Sequence, residues 1–379
     1  GKTATITSDA TYTPTVVAAV PTASPATSKD IQGATQTGTP TFAGTTVQVN
    51  GEDKAITIKD NSYTLLDNDG NEVTSAPAYA ADGTTEIGTY SIDSATGQVT
   101  FTPTDKSYTG VVTPAKVQAE SSNGIKVDTT YTPEIVPVTP TATPAETTDI
   151  QGATQTGKPE FKGGTVTVDG VEKTVAINEA VPATFDDGST TKTVDGVGTY
   201  TVAADGTVTF VPEPSFTGTA PAVTVVREDM NGTKASATYT PSVTPITITP
   251  TDKVSADVQN VPQTQTPTFD LSNDKTAEIT SKKLVDPATG QPTDETSVTV
   301  AGEGTYTIDP TTGAVTFTPE KDFVGTATGV TVQATATITN ADGKTATITS
   351  DATYTPTVVA AVPTAKPATS KDIQGATQT

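Results

Sequence analysis

A hairpin written three times constrains this chain more than any other feature. Its last copy runs from Gly304 to Pro319, GTYTIDPTTGAVTFTP. The others are Gly88 to Pro103, GTYSIDSATGQVTFTP, and Gly196 to Pro212, GVGTYTVAADGTVTFVP. In each, Gly-Thr-Tyr opens one strand and Thr-Phe-x-Pro closes the next. Tyr306 and Ile308 alternate with threonine, as do Val315 and Phe317. An apolar period of two marks a strand buried on one face. Between the strands, Asp309 suits the start of a type I turn, Pro310 its second position, and Gly313 the positive φ that follows. Pro319 stops the ladder because it has no N–H to donate. A segment recurring in this form implies a repeat architecture.

The hairpin sits inside a longer ordered pattern. Tyr-Thr-Pro occurs at Tyr12, Tyr131, Tyr239 and Tyr354, at spacings of 119, 108 and 115 residues. Pro-x-Phe occurs at Pro40, Pro159 and Pro267, and the hairpin follows each. An aromatic-x-Gly comes next, at Tyr108, Phe216 and Phe323. Two further strands then close each unit around Asn123-Gly124, Asn231-Gly232 or Asp342-Gly343, dipeptides that tolerate φ > 0 and favour tight hairpins. Strands are also expected before the hairpin, such as Thr165 to Val168 and Glu172 to Ile177 around Asp169-Gly170. About six or seven short strands per unit, with no helix, predict an all-β chain of three tandem β-sandwich domains in an elongated array.

Residues 343–379 repeat residues 1–37 with one difference, Lys366 against Ser24. Both ends are therefore expected to be cuts inside a larger array. The expected divisions are 1–14 as the last strand of a preceding repeat, 15–132, 133–240 and 241–355 as the repeats, and 356–379 as the start of the next. Thr/Pro-rich seams join the units at Thr13 to Pro25, Thr132 to Thr143 and Thr240 to Pro250. Such composition favours extended chain over helix. It leaves open whether a seam is a linker or the first strand of the next domain.

Composition excludes more than it proves. There are 43 acidic and 21 basic residues, a net charge of −22, which argues against nucleic acid or an anionic membrane as partner. No apolar run reaches the roughly 20 residues that span a bilayer, and no leader or anchor is legible. Histidine is absent, which removes the commonest general base and a common metal ligand. Cysteine is absent too, so neither Ser/His nor Cys/His catalysis is available. Carboxylate pairs of the glycosidase type carry no specificity among so many acids. The chain is read as non-enzymatic and without a cofactor.

A few segments nevertheless have ligand-like chemistry. The first unit is longer between Pro-x-Phe and the hairpin, and the excess lies around Lys59 to Glu86. Loops of this kind carry binding more often than strands do. Within it, the alternating oxygens of Asp67, Asp69 and Asn71 make a weak calcium candidate. Gly70 comes too early for an EF-hand loop and no helices flank it, so a polar hairpin turn is the expected reading. Asp186-Asp187-Gly188 reads as a turn as well. Asn231-Gly232-Thr233 matches a glycosylation sequon but reads as the hairpin turn. No lysine aligns across the three units, which argues against a shared Lys–Asn crosslink. Recurring Phe42, Tyr90, Phe101 and Tyr108 read as core residues.

Taken together, Gly-Thr-Tyr-x-Ile-Asp-x-x-x-Gly-x-Val-Thr-Phe-Thr-Pro, aromatic-x-Gly, Asn/Asp-Gly and Ala-Thr-Tyr-Thr-Pro resemble the CshA-type fibril repeat over essentially the whole chain. The second unit departs from the pattern with a turn one residue shorter, at Ala203-Ala204-Asp205-Gly206. The resemblance implies tandem domains of a streptococcal, Gram-positive, cell-wall-anchored adhesin. They would form a secreted stalk that projects a distal host-binding region from the cell surface. The cysteine-free composition suits such an unstapled extracellular array. The implied partners are neighbouring repeats and, through the parent adhesin, host matrix proteins or other bacteria. An alternative is that the repeats themselves bind host proteins or partner cells weakly and many times over.

Overall fold

The structure is a computed structural model that describes residues 1–371 and 373–377. Its regular elements among the described residues are all β-strands. No helix among them is long and apolar enough to cross a membrane. The chain divides into two compact units. The first comprises Gly1–Thr143, Glu160–Pro182 and Val226–Ala237. The second comprises Pro144–Pro159, Ala183–Val225 and Thr238–Thr379. Each unit thus holds one complete repeat and part of the second.

In the first unit the complete repeat contains β1 (Thr22–Ser24), β2 (Ala26–Ile31), β3 (Gln36–Gly38), β4 (Thr41–Ala43), β5 (Thr45–Val49), β6 (Glu52–Ile56), β7 (Thr64–Leu66), β8 (Glu72–Val73), β9 (Ser75–Tyr79), β10 (Glu86–Ile92), β11 (Val99–Pro103), β12 (Ala115–Glu120) and β13 (Lys126–Val136). That is more than the six or seven expected, because several strands are two or three residues long and too short to show a period. One sheet runs β3-β11-β10-β9 and the other β2-β13-β12-β7-β8, with β1–β4 and β5–β6 as separate ribbons. The repeated hairpin is β10–β11, with Tyr90 opposite Phe101 and Ile92 opposite Val99. The sandwich closes over Tyr90, Val99 and Phe101 from the first sheet and Leu65, Val117 and Tyr131 from the second. These apolar residues face inward while the intervening threonines face out, as the alternation predicts.

The seam resolves into strand. β13 continues through Tyr131-Thr132-Pro133 to Val136, beyond the boundary expected at Thr132. It pairs antiparallel with β12 up to Tyr131, then parallel with β2 from Tyr131 to Val136. Parallel pairing of a repeat's first long strand with the end of its last one is invisible to local pattern. It also explains how proline is tolerated there. In the second unit the carbonyls of Pro241 and Pro356 accept the N–H groups of Ala220 and Ala327. Each proline nitrogen therefore faces the same way, away from the parallel partner, so the parallel ladder loses no donor.

The second unit repeats the plan. Its complete repeat has one sheet ordered 263–265, 315–319, 304–308, 297–300 and another ordered 253–258, 345–359, 330–339, 277–286, 291–292. Leu284, Val332 and Tyr354 pack against Tyr306, Val315 and Phe317. The same unit holds the second repeat's sheet of 155–157, 208–212, 198–202 and 191–194, with Tyr200 opposite Phe210.

The glycine of Gly-Thr-Tyr is a packing requirement. A Cβ on Gly88 would lie 2.6 Å from the Thr102 carbonyl oxygen and 2.9 Å from the Phe101 ring. On Gly304, where φ is +157°, it would lie 2.4 Å from the Thr318 oxygen and 2.6 Å from the Phe317 ring. Only a residue without a side chain lets the phenylalanine of the facing strand lie flat over the ladder.

Candidate functional site

Under the Tyr-Thr-Pro of Tyr131, Tyr239 and Tyr354 lies a polar triad. Ser28 Oγ donates to Gln36 Oε1 at 2.7 Å and shares a 2.7 Å bond with the Tyr131 hydroxyl, and Gln36 Nε2 donates to the Glu134 carbonyl at 3.1 Å. Thr147, Gln155, Tyr239 and the Ser242 carbonyl reproduce it at 2.6, 2.7 and 2.9 Å. Ser255, Gln263, Tyr354 and the Thr357 carbonyl do so at 2.5, 2.7 and 3.0 Å. All three tyrosines are buried, and burial raises their hydroxyl pKa against the lowering effect of the Ser or Thr bond. Burial likewise raises that of Tyr90 and Tyr200, whose hydroxyls donate to the Thr113 and Pro221 carbonyls at 2.7 Å. These aromatics are core residues with satisfied polar ends.

The long segment of the first repeat holds three short strands, β7 to β9, joined by turns. The weak calcium candidate is the β7–β8 turn. Asp67 Oδ1 accepts the N–H groups of Asp69 at 2.9 Å and Asn71 at 2.7 Å, and Oδ2 accepts Asn71 Nδ2 at 3.0 Å. Gly70 has φ +82° and donates to the Asp67 carbonyl. The Asn71 side-chain bond and then its backbone bond hold the Asp67 carboxyl below the usual carboxylate range. Asp67 thus caps the turn with both of its carboxylate oxygens. Among the described residues no group of three or more acids is placed to hold a metal. A cavity of about 470 Å³ lies beside this turn, lined by Leu65, Asp69, Ala76, Tyr79, Tyr90 and Lys116 among others. Its lining sets the carboxylates of Asp67 and Asp69 and the ammonium of Lys116 beside apolar Leu65 and Ala76. That arrangement can bind, and holds no activated nucleophile.

Sequence reading passed over a third feature, the turn Asp-Ile-Gln-Gly. In the first unit, Gln32 is buried. Its Oε1 accepts the seam N–H of Val138 at 3.0 Å and its Nε2 donates to Thr233 Oγ1 at 2.6 Å. Asn231 Nδ2 donates to the Gln32 carbonyl at 2.9 Å, and Lys173 pairs with Asp30 at 3.4 Å. Asn231, the residue of the sequon, therefore spends its amide on this joint. In the second unit, Gln151 Oε1 accepts the seam N–H of Ile246 at 3.2 Å, and Nε2 donates to the Pro214 carbonyl at 2.8 Å. Thr276 Oγ1 donates to the Gln151 carbonyl at 2.6 Å, and Lys275 pairs with Asp149 at 2.8 Å, lowering the Asp149 pKa. Ile246 packs with Ala277 and Ile338, and Ile150, Leu271 and Ile348 surround them. The signal was present: Gln32, Gln151 and Gln259 recur at the 119- and 108-residue offsets of the repeat.

The remaining candidates are turns. Phe185 N–H bonds the Ser189 carbonyl at 2.8 Å across Asp186-Asp187-Gly188, and Lys192 pairs with both acids. Among the described residues no lysine is buried.

The chain is similar to solved tandem-domain structures at low identity. Mouse cadherin-23 EC22-24 matches at 13% identity and a TM-score of 0.34, covering 91% of this chain and all of that one. The titin I9-I11 tandem matches at 10% and 0.29, covering 90% of this chain and all of that one. The eight N-terminal Ig domains of Down syndrome cell adhesion molecule match at 13% and 0.31, covering 90% of this chain and 37% of that one. No curated protein matches. A family model, the surface adhesin CshA repetitive domain, matches three times in succession, at residues 18–135, 137–243 and 245–358. With the hairpin, the triad and the glutamine turn recurring through those three spans, the chain belongs to the family of the surface adhesin CshA repetitive domain.

Proposed function

We propose that this chain is a structural stalk segment of a bacterial surface adhesin, one that spaces a distal host-binding region away from the wall of a Gram-positive, streptococcal cell. The observation that carries the reading is the burial of the seams. Val138 and Ile246 are 1% and 3% exposed, and each has its N–H held by a buried glutamine. Burying such a side chain stabilises by about 1.5–3 kcal/mol. A free linker would gain nothing from it. Surface chemistry fits the same role, since a net charge of −22 keeps neighbouring stalks apart. The side chains brought together are turn caps, core aromatics and joint contacts, which supports a non-enzymatic module. Small-angle scattering on the 379-residue chain tests the reading. A profile of fixed joints is expected, and one of freely jointed beads would overturn it.

A second reading rests on the cavity beside Leu65 and Lys116. On that reading the first repeat is itself an adhesion module for a host matrix protein. Saturable, micromolar binding of the chain to such a protein, lost on Lys116→Glu, would favour it over the spacer.

A further inference from the structure

Two joints in this chain are built alike although the surfaces meeting there differ. Each uses an Asp-Ile-Gln-Gly turn in which residue Ile+3 donates to the isoleucine carbonyl: Ala34 to Ile31 at 3.2 Å and Ala153 to Ile150 at 3.0 Å. In each, the aspartate pairs with a lysine of the following repeat and the glutamine side chain takes the seam N–H. The third repeat has the same turn in the same place. Val261 N–H donates to the Val258 carbonyl at 3.2 Å, and Gln259 N–H to the Val359 carbonyl at 3.0 Å, as Gln32 does to Val136 and Gln151 to Thr244. Asn260 supplies the left-handed residue at φ 66°, where Gly33 and Gly152 have φ +78° and +80°.

The third turn differs in what it exposes. Val258, Val261 and Val359 are 47%, 36% and 51% exposed. Ile150, the counterpart of Val258, packs into the second joint, and Ala153, the counterpart of Val261, is buried. Ala361 stands at the seam position of Val138 and Ile246 and is exposed, whereas they are buried. Residues 343–379, which run on from the last strand of this repeat, repeat residues 1–37 with one difference. In this chain the stretch 1–37 is followed by the rest of the first repeat. Its ribbon β5–β6 places Lys54 opposite Val47, as the second repeat places Lys173, the partner of Asp30, opposite Val166.

We propose that Asp257–Val261 is a docking seat for a repeat of the first type, in which Gln259 takes the N–H of Ala361 and Asp257 pairs with the incoming lysine at the position of Lys54. Val258 supplies the apolar contact that Ile150 supplies in the second joint, and Val261 stands in the place of the buried Ala153. One contact changes. Gly33 lies so close to Asn231 that an added Cβ would sit 2.4 Å from its side-chain oxygen. The hairpin asparagine has another partner in the first repeat, where Asn123 Nδ2 donates to the carbonyl of Ala19, the counterpart of Ala361, at 2.9 Å, so with Asn260 in the turn the glutamine and aspartate carry the polar recognition of the seat itself. The inference deepens the stalk reading and rests on it, since it names the surface by which the array continues.

The test is a lengthened chain in which residues 38–143 follow Thr379, compared with the 379-residue chain by amide hydrogen exchange. Exchange at Ala361 is expected to slow at least tenfold on lengthening and to return to the fast rate in Gln259→Leu. Asp257→Asn should give a smaller, salt-sensitive loss. Slow exchange at Val332 and Val138 in every variant reports that the repeats are folded, and if Gln259→Leu lowers it, Asp257→Asn remains the reading variant. Unchanged exchange at Ala361 on lengthening would overturn the seat. So would concentration-dependent slowing in the 379-residue chain, which would mean that a second molecule is the occupant. Scattering on the unaltered chain is a separate measurement, so the stalk reading and the seat can fail independently.

Discussion

At the scale of residues, the informative positions are those that a local pattern makes look ordinary. Tyr131 was legible as a recurring marker of the repeat, but neither its burial nor its partners Ser28 and Gln36 were legible. Removing the hydroxyl in Tyr131→Phe leaves the Ser28–Gln36 pair buried with one bond fewer. A loss of about 1–2 kcal/mol is expected, with the same effect for Tyr239→Phe and Tyr354→Phe, measured by chemical denaturation. Gly304→Ala forces a methyl against the Thr318 carbonyl and the Phe317 ring, so about 1–3 kcal/mol should be lost. The calcium candidate Asp67 is already committed to three hydrogen bonds of its turn. Millimolar calcium is therefore expected to leave the melting temperature where a chelator leaves it.

At the scale of elements, the hairpins depend on aspartates that cap their own turns. Asp93 Oδ1 accepts the Ala95 N–H at 2.8 Å, and Asp309 Oδ1 accepts the Thr311 N–H at 2.9 Å. Asp205 in the shorter turn accepts both N–H and hydroxyl of Thr207 at 3.0 Å and pairs with Lys158. Asp82 caps Thr84 and Thr85, and its bonds, the Thr85 hydroxyl first, lower its pKa to about 2. Asp93 and Asp309 are lowered by their turn bonds, and Asp205 first by the Lys158 bond. A carboxyl whose pKa is lower folded than unfolded adds stability above its unfolded value of roughly 3.9 and loses it as pH falls through the folded one. Thermal stability should be flat from neutral to about pH 5, then fall between about pH 4 and 2. A melting temperature unchanged at pH 3 would contradict this. The hairpins themselves were readable because turn chemistry and alternation involve neighbouring residues. The ribbon β1–β4 was not resolved into separate strands, since three residues carry too little pattern, whereas the second repeat's counterpart of β5–β6, around Asp169-Gly170, was legible from its turn.

At the scale of the whole molecule, two joints repeat one device on different surfaces. Gln32→Leu and Gln151→Leu leave the Val138 or Ile246 N–H buried without its acceptor, which costs about 1–3 kcal/mol at the joint. Each repeat's own core is untouched, so denaturation of the sandwiches should change little while scattering broadens toward jointed behaviour. A profile identical to that of the unaltered chain would remove the glutamines from the account of stiffness.

The sequence alone determined the repeat, the hairpin turns, the inward-facing aromatics and the all-β class, because each depends on residues close together in the chain. It could not decide whether the Thr/Pro seam is linker or strand. Only the tertiary structure did, by pairing Ala26–Ile31 in parallel with Tyr131–Val136. It also placed Ser28 against Tyr131, 103 residues away, and Gln32 against Thr233, 201 residues away. Contacts at such separations leave no local periodicity. They are decided when the folded chain must find a partner for each polar group that burial takes from water.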